Sequence, residues 1–231
     1  ISSWCPRTIR LNSKTQYKTV MSNETIISFD LDGTLISDAG DDHVWNEAIP
    51  EAYADHHGIT LSEAKKTVYA EYYKARSIEN VDDYTEVHYW VNRLDLASDG
   101  DELINMIAAI NTAYDDYSAL KEVSENHEIT LFTNSSRELM EAKLDKLPFN
   151  HFKKTVSATT DYNANKRDVE TWEQYLADLD TPANTIVHIG DRIVDDVEVP
   201  STLDIDGYQI RRDDDQAKIQ SLHDVKNVLP E

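Results

Sequence analysis

An apolar run, Thr25-Ile26-Ile27-Ser28-Phe29, ends in two carboxylates one residue apart, Asp30 and Asp32, and Gly33 then turns the chain. Side chains at i and i+2 of a strand point the same way. At the carboxyl end of a strand the two acids are therefore expected to converge on one small volume. Acids held that close need a cation, or one of them must stay protonated. The rival reading is a solvated turn or a fragment of a calcium loop. A calcium loop counted from Asp30 would carry Thr34, Ile36 and Asp41 at positions 5, 7 and 12, where oxygen ligands and a final Glu belong. A buried strand leading in also does not suit a loop flanked by helices.

Three later segments repeat the pattern of an apolar run followed by polar residues. Glu128 to Phe132 is followed by Thr133-Asn134-Ser135-Ser136 and a helical stretch over 137–146. A hydroxyl with free backbone N–H groups at a helix start makes an anion pocket, although Thr and Ser also cap helices for structural reasons alone. Lys166 stands just ahead of an amphipathic helix, Val169 to Leu179. Thr185 to Ile189 leads into Gly190-Asp191, with Asp195 and Asp196 close behind. Acids after a buried strand suit Mg²⁺, a hard cation with oxygen ligands. In an open α/β sheet, all these clusters would meet in one crevice beyond the strand ends.

Between the first two segments lie about ninety residues of helical character, far too many for a simple crossover. One helix is expected from a Ser62 cap to about Ile78, another over 84–96, and a third over 103–123 with a break near Tyr114. Pro50 is expected to interrupt or start a helix near Ala52. After residue 128, strands near 153–157, 185–189 and 207–210 alternate with helices. The fold class is α/β: a Rossmann-like parallel sheet with an inserted helical cap. The expected organisation is an extension over 1–21, a core of 22–36 and 125–231, and a cap over 37–124. The cap offers Trp45, His56, His57, Tyr72, Tyr73, Arg76, His88, Trp90 and Arg93, none of which the pattern assigns to substrate.

The chain holds 44 Asp and Glu against 22 Lys and Arg, a net charge of −22. Such a surface repels nucleic acid and anionic membranes, so neither is expected as a partner. It suits a cytoplasm of molar salt, where the Debye length falls to ~3 Å, and the composition is similar to that of halophilic archaeal proteins. An ordinary acidic cytosolic protein is the alternative. Residues 1–20 run the other way, with Arg7, Arg10, Lys14, Lys18 and no acid. They read as an extension upstream of the natural start, disordered or non-native, with a targeting peptide as the rival. The one cysteine, Cys5, cannot form an internal disulfide. No stretch approaches the ~20 apolar residues of a membrane span. A cytoplasmic location is expected, and the oligomeric state is not legible.

Over residues 24–212 the sequence resembles the haloacid dehalogenase-like (HAD) hydrolase superfamily. Phe29-Asp30-Leu31-Asp32-Gly33-Thr34-Leu35 is similar to its first motif, Leu131-Phe132-Thr133-Asn134 to its second, Lys166 to its third, and Gly190-Asp191 with Asp195-Asp196 to its fourth. The resemblance implies hydrolysis of a small phosphorylated metabolite through an aspartyl-phosphate. Asp30 would be the nucleophile and Asp32 the general acid and base. Thr133, Asn134 and Lys166 would hold phosphate. Mg²⁺ would sit with Asp30, the Asp32 carbonyl, Asp191 and Asp196. Arg192 departs from the common fourth motif, and Asp195 competes with Asp196 for the last role; Asp196 is favoured. The resemblance also implies a four-helix cap that shields the site. A dehalogenase of the same fold is one alternative, although family dehalogenases lack an acid at the position of Asp32. A non-catalytic scaffold binding a phosphorylated metabolite is another.

Overall fold

The computed structural model of the chain describes residues 25–79, 81 and 84–229. The extension expected over 1–21 lies outside the described residues.

Five parallel strands make one sheet: β1 (Ile26–Phe29), β2 (Glu128–Thr133), β3 (Lys154–Ser157), β4 (Ile186–Gly190) and β5 (Asp206–Gln209). Their spatial order is β3-β2-β1-β4-β5. The three inner strands are apolar runs because layers cover both sheet faces. The chain works outward from β1 to β3, then returns to the far side of β1 for β4 and β5. That reversal opens a crevice beyond the carboxyl ends of β1 and β4. Phe29 is level with Leu131 and Ile189, so the next residues, Asp30, Phe132 and Gly190, share one level.

Ten helices complete the described chain, and five of them precede β2 as a cap. α1 (Ala39–His43) continues through a π-helical turn, Val44–Ala48, into α2 (Ile49–His57). Pro50 therefore continues a helix. It has no N–H to donate, and the wider turn before it absorbs the clash with the preceding carbonyls. α3 (Leu61–Lys74) is capped by Thr60, which forms a reciprocal box with Glu63. The expected cap, Ser62, instead lies in the first turn: Thr60 has the extended backbone that a cap requires, and its Glu stands three residues on. α4 (Val87–Arg93) and α5 (Gly100–Ile110) follow. The cap has its own core of Val44, Ile49, Val68, Val87, Trp90 and Ile107, joined by Leu139 from the sheet-bearing part.

The chain crosses between the two parts through a small ribbon. Ile36 bridges to Ala113, and the Ser37 N–H donates to the Thr112 carbonyl at 2.9 Å. The third expected cap helix breaks here, close to Tyr114. Its second half, α6 (Ala119–Asn126), packs Leu120 and Val123 against the sheet with Ile27 and Phe29. The cap by packing thus ends near residue 112, short of the expected 124, because the apolar stripe of α6 faces the sheet.

α7 (Arg137–Leu144) follows β2 and adds Met140 and Leu144 to that face. α8 (Ala158–Tyr162) follows β3 and α9 (Val169–Leu179) precedes β4, placing Trp172 and Tyr175 against Phe132 on the other face. α10 (Val199–Ser201) leads to β5. Among the described residues no helix is long and apolar enough to cross a membrane.

The Trp172 indole is fully buried and edge-on to Phe132, and its N–H donates to the Lys166 carbonyl at 2.8 Å. Trp172→Phe leaves that buried carbonyl without its donor. Urea unfolding should show a loss of ~1–3 kcal/mol; a change within ~0.5 kcal/mol would mean the bond contributes nothing to holding the loop.

Candidate active site

β1 ends at Phe29, so Asp30 is the first residue beyond the sheet, with its N–H donating to the Ile189 carbonyl at 2.9 Å. Its buried carboxylate accepts from Lys166 Nζ at 2.6 Å. The chain then turns sharply, Leu31 enters the core, and Gly33 adopts φ 74°. A Cβ on Gly33 would stand 2.6 Å from an Asp191 oxygen, so glycine is required both by conformation and by space.

The turn separates the two acids that the strand rule would aim together. Asp32 meets a different ammonium, Lys143 Nζ, at 2.8 Å. Both acids line the same cavity, but each carboxylate has its own cation. The expected convergence therefore takes the form of a shared cavity rather than a shared ligand. The Asp32 carboxylate is outside the metal-ligand cluster, and only its backbone carbonyl remains for the role expected of it there.

Lys166 stands just before α9 and is buried. Its three protons go to Asp30 Oδ1 at 2.6 Å, Asp196 Oδ1 at 2.6 Å and the Phe132 carbonyl at 3.1 Å. Thr133, the last residue of β2, is buried, and its hydroxyl oxygen accepts from the Ser135 N–H at 3.1 Å. Its own proton is left for the cavity it lines. Asn134 differs from expectation. Its amide oxygen accepts from the Lys166 N–H at 2.9 Å and its nitrogen reaches Asp195 at 3.4 Å. The side chain braces two loops, which leaves its backbone as the part free to meet an anion.

Beyond β4, Asp191 and Asp196 join Asp30. Carboxylate oxygens of the three lie within 4.8 Å of one another. Asp196 also accepts from the Arg192 N–H at 2.9 Å and meets His188 Nε2 at 3.1 Å. Gly190 makes room for it, since a Cβ there would lie 2.2 Å from the carboxylate. Asp195 turns away and pairs with Arg167 at 2.8 Å. Of the two acids left open by the sequence, Asp196 is the one in the cluster.

The charges do not balance. Three carboxylates share the Lys166 ammonium and the Arg192 guanidinium, and burial pushes the neighbouring His188 down to about 4, so it is neutral near pH 7. Burial pushes Asp30 up to about 8; Lys166 opposes it, while Asp196 and Asp191 add to burial. Burial, and then Asp196, push Asp191 up to about 6 against the pull of Arg192 and Lys166. Burial works the same way on Asp196, but Lys166 and His188 together outweigh it and hold that carboxyl below the usual range. For Lys166, Asp196 and Asp30 overcome the effect of burial and raise the ammonium. Lys166 and His188 thus satisfy Asp196, while Asp30 and Asp191 remain poorly compensated. Asp191 Oδ1 is buried without a hydrogen-bond partner. An orphaned oxygen in a cluster of excess negative charge, with only oxygen donors, fits a hard divalent cation.

The cavity above these groups measures about 420 Å³. Four of the cap residues singled out by type, Trp45, Tyr72, Arg76 and Trp90, line it. Arg93 is instead held by Glu71 and Glu79 at 2.6 Å each. His88 is clamped between Asp101 and Glu138, each 3.2 Å from a different ring nitrogen. Tyr73 is 65% exposed.

Lys143 and His188 are functional neighbours that residue type did not reveal. Lys143 did carry a signal, since it falls between Met140 and Leu144 on the buried stripe of α7. His188 sits mid-strand, level with Ser28 and, through it, Thr130.

The sequence matches the haloacid dehalogenase-like hydrolase family over residues 25–199. Among solved structures, the fold is similar to that of a HAD phosphatase from Thermococcus onnurineus, at 17% identity, 88% coverage of this chain, 97% of that one and a TM-score of 0.71. It is similar to a 2-haloacid dehalogenase from Pseudomonas syringae pv. Tomato DC3000, at 16% identity, 88% and 97% coverage and a TM-score of 0.64. A HAD-hydrolase from Bacillus subtilis, bound to magnesium, gives 16% identity, 89% and 98% coverage and a TM-score of 0.61. Curated proteins give no match. The likeness to solved structures is one of fold and spans both chemistries, whereas the family match rests on the sequence itself: this chain belongs to the haloacid dehalogenase-like hydrolases.

Proposed function

We propose that the chain is a Mg²⁺-dependent phosphatase that hydrolyses a phosphate monoester of a small organic metabolite. The observation that carries this reading is the charge excess: Asp30, Asp191 and Asp196 gathered around Lys166, with Asp191 Oδ1 unpaired. Displacing halide from carbon calls for no cation, so a dehalogenase has no use for this surplus. The magnesium-bound neighbour from Bacillus subtilis supports the choice of metal.

Asp30 attacks phosphorus through the oxygen that Lys166 does not hold. Asp32 gives its proton to the departing alkoxide, then takes one from the water that attacks the acyl phosphate. Burial raises the Asp32 carboxyl, and Lys143 opposes that. The Thr133 hydroxyl and the backbone N–H groups after β2 receive phosphate oxygens. Lys166 exchanges one of its present bonds for a phosphate oxygen. Mg²⁺ held by Asp30, Asp191, Asp196 and the Asp32 carbonyl would supply the positive charge that lets a carboxylate approach a phosphate dianion. The aromatic cap residues exclude water from the cavity.

Asp30→Asn removes the nucleophile and one charge of the surplus. Phosphate release from a metabolite panel in molar KCl with Mg²⁺ should fall at least ~10³-fold, while the metal-free variant remains as stable as the parent at pH 8. Near-parental turnover would contradict the assignment.

The pH dependence of cation binding has a fixed sign. Asp30 and Asp191 titrate at about 8 and about 6 in the fold, above the ordinary carboxylate value of 3.8. The metal-free fold therefore loses stability as pH rises from the ordinary value through these two, and cation affinity grows over the same window. Saturating Mg²⁺ should raise Tm by ~5–10 °C at pH 8 and by much less at pH 5. Asp191→Asn should remove most of that gain; an unchanged gain would place the cation elsewhere.

A further inference from the structure

Lys143 is enclosed by the protein, with none of its side chain exposed. Its ammonium reaches Asp32 Oδ1 at 2.8 Å, Asp41 Oδ1 at 3.0 Å and Ser135 Oγ at 3.2 Å. Three donors meet three acceptors, so nothing is left over for a ligand. An apolar residue would fill the same stripe of α7 without burying a charge, so packing alone does not account for a lysine here.

Its second carboxylate links this lysine to the cap. Asp41 lies in the first turn of α1, where the chain enters the cap. The other Asp41 oxygen accepts from Asn111 Nδ2 at 2.6 Å, and Asn111 Oδ1 accepts from the Gly40 N–H at 2.5 Å. Asn111 ends α5, where the chain leaves the cap. The way in and the way out of the cap thus meet at Asp41, and Lys143 ties that junction to the acid two residues after Asp30. The contacts span a sequence separation of 111 residues to Asp32 and 102 to Asp41.

We propose that Lys143 is a positioning residue that, together with Asp41, orients the Asp32 carboxyl for proton transfer and makes that orientation depend on where the cap stands. The inference rests on the phosphatase reading and adds the part that decides when Asp32 is in place. Lys143 holds one Asp32 oxygen, and the residue lines the same cavity as Asp30. The Asp32 carboxyl gives its proton to the leaving oxygen as the ester bond breaks. It later takes a proton from water as the new bond to phosphorus forms and the acyl phosphate opens.

The test separates the two half-reactions. An alkyl phosphate needs a proton on its leaving oxygen, whereas p-nitrophenyl phosphate leaves without one. In Lys143→Met, steady-state kcat for the alkyl phosphate should fall ~10²-fold, with KM changed less than ~3-fold. With p-nitrophenyl phosphate the initial burst of nitrophenolate should survive while the following phase slows, because phosphorylated Asp30 accumulates. Asp41→Asn, which leaves Lys143 paired with Asp32, should lower alkyl turnover relative to the aryl burst rate in the same way by a smaller factor. It supplies the reading if Lys143→Met fails to fold. The double variant should lose little more than Lys143→Met alone. A ratio of alkyl turnover to aryl burst rate within ~2-fold of the parent in the folded variants would overturn the inference, since a merely structural lysine slows the aryl burst as much as the alkyl reaction. Absence of phosphate release in the parent protein, by contrast, overturns the phosphatase reading and this inference with it.

Discussion

The Lys166 ammonium is where the separate strands of the sheet become one electrostatic unit. It joins Asp30 beyond β1, Asp196 beyond β4 and the carbonyl of Phe132 in β2. Each of those elements reaches the crevice by a different path through the chain. An enclosed ammonium with three fixed acceptors sets their distances in a way that apolar packing does not. Yet its single charge falls short of the acids it gathers. Both the shape of the site and the negative charge left over there depend on that one lysine.

Behind Asp196 the polarity continues into the sheet. Asp196 meets His188, His188 Nδ1 lies 2.8 Å from Ser28 Oγ, and Ser28 and Thr130 both meet the Tyr175 hydroxyl, at 2.9 and 2.7 Å. Ser28, Thr130 and His188 are level across three adjacent strands. A buried row of this kind is stable only when every member is satisfied. Here it also fixes the face that Asp196 presents to Lys166. In front of the acids, the cap supplies an apolar roof and the latch from Asp41 to Lys143. The acids of the site are thus held from behind by the sheet and from the side by the cap's junction.

The strands were legible because an inner parallel strand must be apolar, and the polar residues ending each run marked the crevice. Thr133, Lys166, Asp191 and Asp196 could be named from that punctuation and from the family resemblance. The strand rule stopped short at Asp32, because β1 ends at Phe29 and a turn no longer alternates its side chains. The buried stripe of α7 marked Lys143 as enclosed, but its carboxylate partners stayed hidden because they stand more than a hundred residues away in sequence. The division of the third cap helix followed from Tyr114, but only packing shows that α6 belongs to the sheet. Thr60 rather than Ser62 caps α3 because its glutamate partner stands at the matching distance.

Family membership leaves the chemistry open between carbon and phosphorus, and the decision returns to what the surplus charge is for. A crystal of the protein with Mg²⁺ and a phosphate mimic measures this directly. The account predicts one cation bound by Asp30 and Asp191, with Asp196 beside it, and the mimic seated against Thr133 and Lys166. A cation bound elsewhere, with Asp191 Oδ1 still unpaired, would contradict it.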